Sequence, residues 1–256
     1  MVKAVSVIGL ESLPMVKKGD NLAELIVAAL ERKKVPLANG DVIVVAHKVV
    51  SKAEGRIVRL SDVKPTSKAV EIGVTRKDPR LVELILQETR RILKAASEIL
   101  VVENKQGLIC VNAGVDKSNV EGEDAYALLP VSSDESARRI RSQIVKMTGK
   151  DVAVIIVDTF SRPFRRGQVN FAIGLAGMDP FRDYRGQRDL FDYVLEVKNV
   201  AIADEIASAA DLVMGQGKEG VPVAIVKGLH GVSWKADASV SDLFISEDED
   251  LFRKAL

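Results

Sequence analysis

Continuous apolar runs alternate with amphipathic stretches along the chain, and this pattern predicts a mixed α/β fold. Short runs that are apolar at nearly every position are typical of strands buried on both faces. Such strands are predicted at residues 2–10, 42–46, 99–102, 108–111, 152–157 and 221–226. The turn Lys105-Gln106-Gly107 makes two of them, 99–102 and 108–111, an expected strand pair.

Helices are predicted where apolar residues recur at helical spacing behind a capping residue. Asp20 is expected to cap a helix over 21–33, and Pro79 suits the first turn of a helix reaching Leu93. Ser132 and Glu135 match a capping box. The helix that begins at this capping box is predicted to end near residue 147. Two further helices are predicted, one over 201–214 and a charged amphipathic one over 246–256.

The composition narrows the function classes. The 37 basic and 36 acidic residues give a net charge of +1, which offers no argument for a nucleic-acid or anionic-membrane partner. The start of the chain has no long apolar segment or cleavage site, and no run is long enough to span a bilayer. A cytoplasmic protein is therefore expected. Cys110, the one cysteine, excludes an internal disulfide and is predicted to be a buried small hydrophobe.

The length of 256 residues allows one large domain or two modest ones. We find no internal repeat, linker or low-complexity segment. Residues 1–256 are therefore interpreted as a single unit, with a second, smaller lobe whose boundaries the sequence does not define.

Four constellations could carry chemistry, and the first follows the apolar run that ends at Val111. Asn112-Ala113-Gly114-Val115 leads to Asp116, with Ser118 and Asn119 just beyond. Carboxylates at strand ends are rigid oxygen ligands for Mg²⁺ or Mn²⁺. The alternative is a turn acid that accepts local backbone amides, and spacing alone favours that alternative.

The second constellation is Asp158-Thr159 at the end of an apolar run. A carboxylate beside a hydroxyl can hold a metal-bound triphosphate, whereas the alternative is a helix or turn cap. No G-x-x-x-x-G-K-[ST] pattern is present, so a phosphate-loop site is unsupported.

The third constellation, Ser161-Arg162-Pro163-Phe164-Arg165-Arg166-Gly167, directly follows that acid. Its three guanidinium groups favour phosphate binding over a merely solvated basic loop. The fourth, Met214-Gly215-Gln216-Gly217-Lys218-Glu219-Gly220, joins a predicted helix to a predicted strand. Its glycines would let backbone N–H groups approach phosphates, although a glycine-rich loop alone is a weak signal.

The two histidines, His47 and His230, are isolated in the sequence, so they do not predict a zinc site. His47 stands beside Lys48 and near Lys52, where it could touch a nucleotide. No G-x-S-x-G pattern or Ser/His/Asp order indicates a triad hydrolase.

Taken together, the motifs resemble the coenzyme F420-0:L-glutamate ligase (γ-glutamyl ligase) family over nearly the whole chain. Several motifs in register are more specific than any one alone. They are Leu13-Pro14 with Lys18-Gly19-Asp20, Val50 to Arg56, Val111 to Asp116 with Ser118-Asn119-Val120, Asp158-Thr159, Phe164 to Gly167, Ala172-Ile173-Gly174, Ala203 to Ala207 and Met214-Gly215.

The resemblance implies an unusual two-lobed, mixed-sheet α/β fold, neither a phosphate-loop nor a Rossmann fold, in an intertwined homodimer. It implies that GTP drives amide formation between L-glutamate and the carboxylate of coenzyme F420-0. An acyl phosphate would be the intermediate, GDP and phosphate would be released, and a second glutamate would be added through a γ-linkage. It also implies two divalent ions, Mg²⁺ or Mn²⁺, and stimulation by K⁺.

The resemblance implies functional roles for the residues of this chain at positions that match the family's motifs. The implied metal ligands are Asp116, Asp158, Thr159 and Gln216, although some members have Glu where this chain has Gln216. An amide oxygen can still bind a divalent ion, but it brings no charge. The implied GTP contacts are Ser12, Leu13, Pro14, Met15, His47, Lys48, Lys52, Asn119, Met214, Gly215, Gln216, Gly217, Lys218, Glu219, Gly220 and Val221. Lys52, Arg165 and Arg166 are candidates to neutralise phosphate charge during catalysis.

Three other functions use the same residues. A metal-dependent nucleotide phosphohydrolase would turn over GTP without an acceptor. A regulatory nucleotide-binding module would bind GTP and release no phosphate. A GTP-dependent ligase for another acidic acceptor would give products of a different mass.

Overall fold

The computed structural model describes residues 3–11, 13–73, 77–96 and 99–252. Its strands are β1 (Ser6–Gly9), β2 (Val42–Ala46), β3 (Ile57–Arg59), β4 (Thr89–Ala96), β5 (Ile99–Asn104), β6 (Ile109–Val111), β7 (Ala125–Ala127), β8 (Ala153–Arg162), β9 (Arg165–Ala176), β10 (Arg182–Asp183), β11 (Asn199–Val200) and β12 (Val223–Lys227). Its α-helices are α1 (Leu22–Lys33), α2 (His47–Ala53), α3 (Ser67–Gly73), α4 (Pro79–Glu88), α5 (Ser133–Thr148) and α6 (Ile202–Met214).

The chain divides into two compact units. The first contains Met1–Met15, Asn21–Ala46 and Ser133–Leu243, and the second contains Val16–Asp20, His47–Ser132 and Phe244–Leu256. The boundary at residues 46 and 47 is also the point where strand β2 ends and helix α2 begins.

The first unit is built on a five-stranded sheet in the order β1-β12-β2-β8-β9. Strands β2 and β8 are parallel, while the pairs β1–β12, β12–β2 and β8–β9 are antiparallel. The predominance of antiparallel pairs distinguishes this sheet from the mostly parallel sheet of a Rossmann fold.

The central strands of this sheet form the core of the first unit. Residues 42–45, 153–156 and 223–226 are almost wholly inaccessible to solvent. Their unbroken β-branched and aliphatic side chains suit strands covered on both faces. Helix α5 contacts β8 and β9 and packs against α1, while α6 contacts β1, β9 and β12.

The second unit has two small antiparallel sheets, β3–β7 and β4-β5-β6. Helix α2 lies against β7, and α3 packs against α4. Arg56 ties these elements together, because its Nη2 lies 2.6 Å from Glu88 Oε2 and its Nε donates to the Leu129 carbonyl.

The structure confirms the mixed α/β class and most predicted elements. Strand 42–46 has the predicted bounds, and the expected pair across Lys105-Gln106-Gly107 is β5 with β6. Cys110 is buried as expected. The strand predicted at 2–10 is shorter, because β1 spans Ser6–Gly9, and Val2 lies outside the described residues.

Two predicted helix boundaries are wrong. The cap of α1 is Asn21, whose side chain accepts from the N–H groups of Ala23 and Glu24, whereas Asp20 accepts from the Lys17 N–H. The helix from Pro79 ends at Glu88 instead of Leu93. Residues beyond Glu88 become β4, because pairing with β5 supplies backbone hydrogen bonds that the local apolar pattern does not reveal.

The predicted helical tail is also wrong in its described part. Residues 246–252 form turns, with the Asp250 N–H donating to the Ser246 carbonyl, and residues 253–256 lie outside the described residues. The Arg91 guanidinium pairs with Glu247, which ties this segment to strand β4 of the same unit. Within the described ranges, the helices are too short or too polar to traverse a bilayer.

Candidate functional site

The second unit holds a lysine–aspartate cluster, defined by Lys48, Lys52, Asp116 and Ser118. The Lys48 ammonium donates to Asp116 Oδ2, to the Ser118 hydroxyl and, at 2.8 Å, to the Ser118 carbonyl. Asp116 also accepts from the Ser118 N–H at 3.0 Å and from its hydroxyl at 2.6 Å. The turn interpretation of Asp116 is thus confirmed, and its carboxylate also forms an ion pair with the Lys48 ammonium.

Backbone conformation and packing explain why a glycine stands at position 114, shortly before Asp116. Asn112, Ala113 and Gly114 have φ values of 52°, 55° and 74°, in the left-handed region that costs side-chain-bearing residues energy. A Cβ at Gly114 would lie 2.6 Å from the Leu129 side chain. The chain then becomes extended, and Asp116 exchanges backbone hydrogen bonds with Ala127 at the end of β7.

Burial and neighbouring groups in the lysine–aspartate cluster shift the pKa values of Asp116 and Lys52. Burial alone would raise the pKa of Asp116, but hydrogen bonds from Lys48 and Ser118 outweigh burial and lower this pKa to about 2. The pKa of Lys52 is lowered by burial and by the neighbouring charge of Lys48. The cluster therefore contains an ionised carboxylate and two ammonium groups whose mutual repulsion an additional anion would relieve.

Helix α2 positions the cations of this cluster. Lys48 and Lys52 are four residues apart, so they share one face of the helix. His47 is buried, with 2% of its surface exposed, and its Nδ1 lies 3.4 Å from the Ser51 hydroxyl. Asn119 lies just beyond Ser118 with a φ of 55°.

The first unit holds a separate oxygen network, defined by Thr159, Asn170, Asp211 and Gln216. Thr159 Oγ1 lies 2.8 Å from Asn170 Oδ1 and 2.9 Å from Gln216 Oε1. Asn170 Nδ2 donates to Asp211 Oδ1 at 3.2 Å, and Gln216 Nε2 donates to the same carboxylate oxygen and to Asn170 Oδ1. Asn170 is buried, whereas Gln216 is exposed and accessible to a ligand.

Strand register and helix α6 assemble this network. Thr159 on β8 pairs directly with Asn170 on β9, so their side chains are cross-strand neighbours. Asp211 lies in the last turn of α6, and Gln216 follows the helix after Gly215. The Ser208 hydroxyl donates to the Asn170 carbonyl, which fixes the helix against the strand.

Asp158 and Thr159 lie within strand β8, so the interpretation of either residue as a helix or turn cap is wrong. Their side chains point to opposite faces of the strand, because they are consecutive strand residues. Asp158 Oδ1 accepts from the Thr159 N–H at 2.7 Å.

The arginine-rich segment is the tip of the β8–β9 hairpin rather than an open loop. Arg162 and Arg165 are the last paired residues, and Phe164 between them has a φ of 59° and is 91% exposed. Among the described residues, the guanidinium groups of Arg162, Arg165 and Arg166 form no ion pair with a carboxylate, and Arg162 donates to the Arg166 carbonyl. This tip therefore offers positive charge to an external anion.

The glycine-rich loop over residues 214–221 folds around the side chain of Glu219. The Gly217 N–H donates to Glu219 Oε2 at 2.8 Å, and a Cβ at Gly215 would lie 2.4 Å from the Glu219 carboxyl carbon. The Glu219 carboxylate thus accepts a hydrogen bond from a backbone N–H that could instead donate to a phosphate oxygen. Lys218 is exposed beside it.

The remaining predicted nucleotide contacts belong to an irregular segment after β1. Leu13, Pro14 and Met15 lie in this segment, and Met15 is strongly exposed. Ser12 lies outside the described residues.

The structure therefore brings Thr159 and Gln216 together in the first unit, and Lys48 and Asp116 together in the second. Asn170 and Asp211 are members of the oxygen network that the motif analysis missed. One signal pointed to Asp211: an acid in the last turn of a helix is disfavoured by the helix dipole. In the described ranges, no three His, Cys, Asp or Glu side chains group as a metal site, so any divalent ion here would need hydroxyl or amide oxygens as well.

Comparison with known proteins decides the family. The profile described as F420-0:Gamma-glutamyl ligase matches residues 11–228. The chain belongs to this family. The match covers Asp116, the oxygen network and the glycine-rich loop, so the resemblance inferred from the motifs is confirmed.

Curated relatives of this family match nearly the whole chain. The coenzyme F420:L-glutamate ligase of Methanothermobacter thermautotrophicus is 45% identical, over 97% of this chain and 99% of its own length. The enzymes of the same name from Archaeoglobus fulgidus and Methanocaldococcus jannaschii are 43% and 42% identical, each over 98% of both chains.

Proposed function

We propose that this protein is a GTP-dependent ligase that joins L-glutamate to the carboxylate of coenzyme F420-0. The observation that carries the proposal is the similarity to relatives named coenzyme F420:L-glutamate ligase, at 45% identity over almost the full length of both chains. The two clusters support it, because the lysine–aspartate cluster presents ammonium groups suited to phosphates and the oxygen network presents oxygen ligands suited to a hard cation.

The proposed reaction has two steps. A carboxylate oxygen of the acceptor takes the γ-phosphoryl group from GTP, which gives an acyl phosphate and GDP. The amine of glutamate then attacks the acyl carbon, phosphate leaves with the bonding electrons, and the amine loses a proton. A second cycle would use the γ-carboxylate of the first glutamate. Protein groups contribute mainly by positioning the reactants and neutralising charge.

We propose Mg²⁺ or Mn²⁺ ions, two per chain, and K⁺ as the cofactors. The donor types fit hard cations, since each of the side chains of Asp116, Asp158, Thr159 and Gln216 can offer an oxygen ligand. When bound, divalent ions supply positive charge to phosphate oxygens. Asp116 is ionised and pairs with the Lys48 ammonium, so a divalent ion bound by Asp116 would take the place of that ammonium.

The remaining proposed roles concern phosphate. Lys48 and Lys52 present ammonium groups, and the loop over 214–221 presents a backbone N–H now taken by Glu219. These groups are proposed to contact GTP, together with His47, Asn119 and residues 12–15. Arg165 and Arg166 are proposed to neutralise phosphate on GTP or on the phosphodiester of the coenzyme.

Incubation with GTP, Mn²⁺, L-glutamate and coenzyme F420-0, followed by mass spectrometry, tests the proposal. We expect products heavier by one and by two glutamyl groups, with GDP formed in step. A rate of GTP hydrolysis that does not depend on the acceptor or on glutamate would instead identify a phosphohydrolase. A glutamylated product formed only from another acid would identify a different acceptor.

We further propose that two copies of the chain form a homodimer. The hairpin over residues 182–200 supports this, because Leu190, Phe191 and Val197 on it are 97%, 90% and 89% exposed. Such an apolar projection is costly in water unless another surface covers it. Light scattering should give twice the chain mass, and Phe191→Ser with Leu190→Ser should reduce it to one chain.

A further inference from the structure

The proton count of the oxygen network is unusual. Thr159 has a single hydroxyl proton, yet its Oγ1 lies within hydrogen-bond distance of both Asn170 Oδ1 and Gln216 Oε1. Three oxygens therefore converge: Gln216 Nε2 also donates to Asn170 Oδ1 at 3.1 Å, but one of the two oxygen–oxygen contacts of Thr159 has no proton. Such a grouping attracts a cation, since neutral oxygens are ligands that hard metal ions accept.

Asp211 determines which atoms the two amides present to Thr159. Its Oδ1 accepts from Asn170 Nδ2 at 3.2 Å and from Gln216 Nε2. Because each amide directs its NH₂ group to Asp211, each directs its carbonyl oxygen to the Thr159 side. Without a carboxylate at position 211, only the donation from Gln216 Nε2 to Asn170 Oδ1, at 3.1 Å, would favour Gln216 Oε1 over Gln216 Nε2 at that position.

Asp211 also stands where the helix itself would disfavour it. The last turn of α6 contains no basic residue, and the helix dipole places partial negative charge there. Asp158, the nearest acid along β8, points to the opposite face of the strand from Thr159. Asp211 is thus the carboxylate that directly contacts the exposed Gln216.

We infer that Asp211 is a positioning residue for a divalent cation held by Thr159 and Gln216. It turns the Gln216 oxygen toward the ion and supplies, one hydrogen bond away, the negative charge that an amide lacks. The inference rests on the proposed function, because that function requires the cation. It adds a residue to the site and explains how a neutral amide serves as a ligand there.

The first test is Asp211→Asn, a nearly isosteric change that removes the charge. Isothermal titration of the whole protein with Mn²⁺ alone measures the affinity, and Thr159→Val marks which binding step belongs to this cluster. We expect Asp211→Asn to weaken that step by about 10- to 100-fold. Glu205→Gln, which removes an exposed charge from the first turn of the same helix, should leave it unchanged.

The second test moves the charge instead of removing it. In the double variant Asp211→Asn, Gln216→Glu, the carboxylate becomes the ligand and the amide becomes its partner. We expect Mn²⁺ affinity at the marked step to return to within about threefold of the native value, well inside the loss expected for Asp211→Asn alone. Gln216→Glu alone brings two carboxylates together, so it should lower the melting temperature without metal and restore it when Mn²⁺ is added.

Each outcome distinguishes the inference from the function beneath it. Native affinity in Asp211→Asn, or a double variant as weak as Asp211→Asn, overturns the positioning role while leaving the ligase proposal intact. A native protein that binds no Mn²⁺ at the Thr159 step overturns the metal assignment on which both depend. Melting temperatures of the metal-free variants separate these outcomes from loss of the fold.

Discussion

The lysine–aspartate cluster and the oxygen network present charge in opposite ways. In the second unit, the Asp116 carboxylate is paired with the Lys48 ammonium, and Lys52 adds a further positive charge. In the first unit, the single Asp211 carboxylate meets only amide N–H groups, and uncharged oxygens lie around Thr159. The first arrangement favours anions once its carboxylate is satisfied, whereas the second favours a cation.

Two partly buried carboxylates, Asp116 and Asp204, have pKa shifts of opposite direction. Asp116 has a pKa of about 2, because hydrogen bonds from Lys48 and Ser118 outweigh its burial. Asp204 on α6 has a raised pKa, because burial dominates and its main compensation is the Ala172 N–H. Burial raises the pKa at both positions, so the hydrogen bonds from Lys48 and Ser118 decide the direction of the shift at Asp116.

The largest expected effect is that of Asp116→Asn on catalysis. Removing this charge leaves Lys48 beside a neutral amide and removes a proposed metal ligand, so glutamylation should fall by at least about 100-fold. Product masses from a timed reaction measure the loss. Circular dichroism should show an unchanged fold, and Glu123→Gln, an exposed carboxylate in the same unit, is the matched control. Normal glutamylation by Asp116→Asn would show that the Asp116 carboxylate is not part of the catalytic site.

Gly114→Ala tests how strongly the close packing of Gly114 against Leu129, shortly before Asp116 of the lysine–aspartate cluster, limits side-chain size at position 114. An added Cβ meets the buried Leu129 side chain at 2.6 Å in a left-handed conformation, so the unfolding free energy should fall by about 2–4 kcal/mol. Urea titration measures it. Gly149→Ala has a similar positive φ but open space around the Cβ, and should cost only about 1–2 kcal/mol. Equal losses in the two variants would show that the Leu129 contact is unimportant.

Lys52→Met addresses the proposed anion preference of the same cluster. Removing one of its two ammonium groups should raise the KM for GTP by about 10-fold, since a charged hydrogen bond to phosphate is lost. Lys64→Met, an exposed lysine in the same unit, should not change it. Steady-state rates at varied GTP concentrations measure the KM. An unchanged KM for Lys52→Met would show that Lys52 does not contact the nucleotide.

The smallest expected effect is that of Asp204→Asn on stability. Because the folded pKa of Asp204 is raised, its protonation contributes stability that is present below pH 3.8 and is lost as pH rises through the folded pKa. The amide oxygen can still accept from Ala172, so at pH 7 the variant should match or exceed native stability by less than about 1 kcal/mol. Melting temperatures across pH 3–7 measure this. A clear loss at pH 7 would mean that the Asp204 charge is used.

The sequence predicted features that depend on neighbouring residues in the chain. The apolar runs of β2, β8 and β12 and the helical spacing of α1 identified these elements, because burial on both faces or on one face leaves a direct trace in residue order. The motifs around Asp116, Asp158 and Gly215 indicated the family, which the comparisons confirm.

Only the tertiary structure determined contacts between distant segments. Pairing with β5 turned residues after Glu88 into a strand although their apolar spacing also suited a helix. The network joining Thr159, Asn170, Asp211 and Gln216 is created by strand register and by the end of α6, and Asp211 belongs to no motif. The sequence by itself identified the residue types, local elements and family of this protein. The fold decided which oxygen faces which proton, because the hydrogen bonds from Asn170 to Asp211 and between Thr159 and Gln216 join residues 41 and 57 positions apart and leave no local pattern.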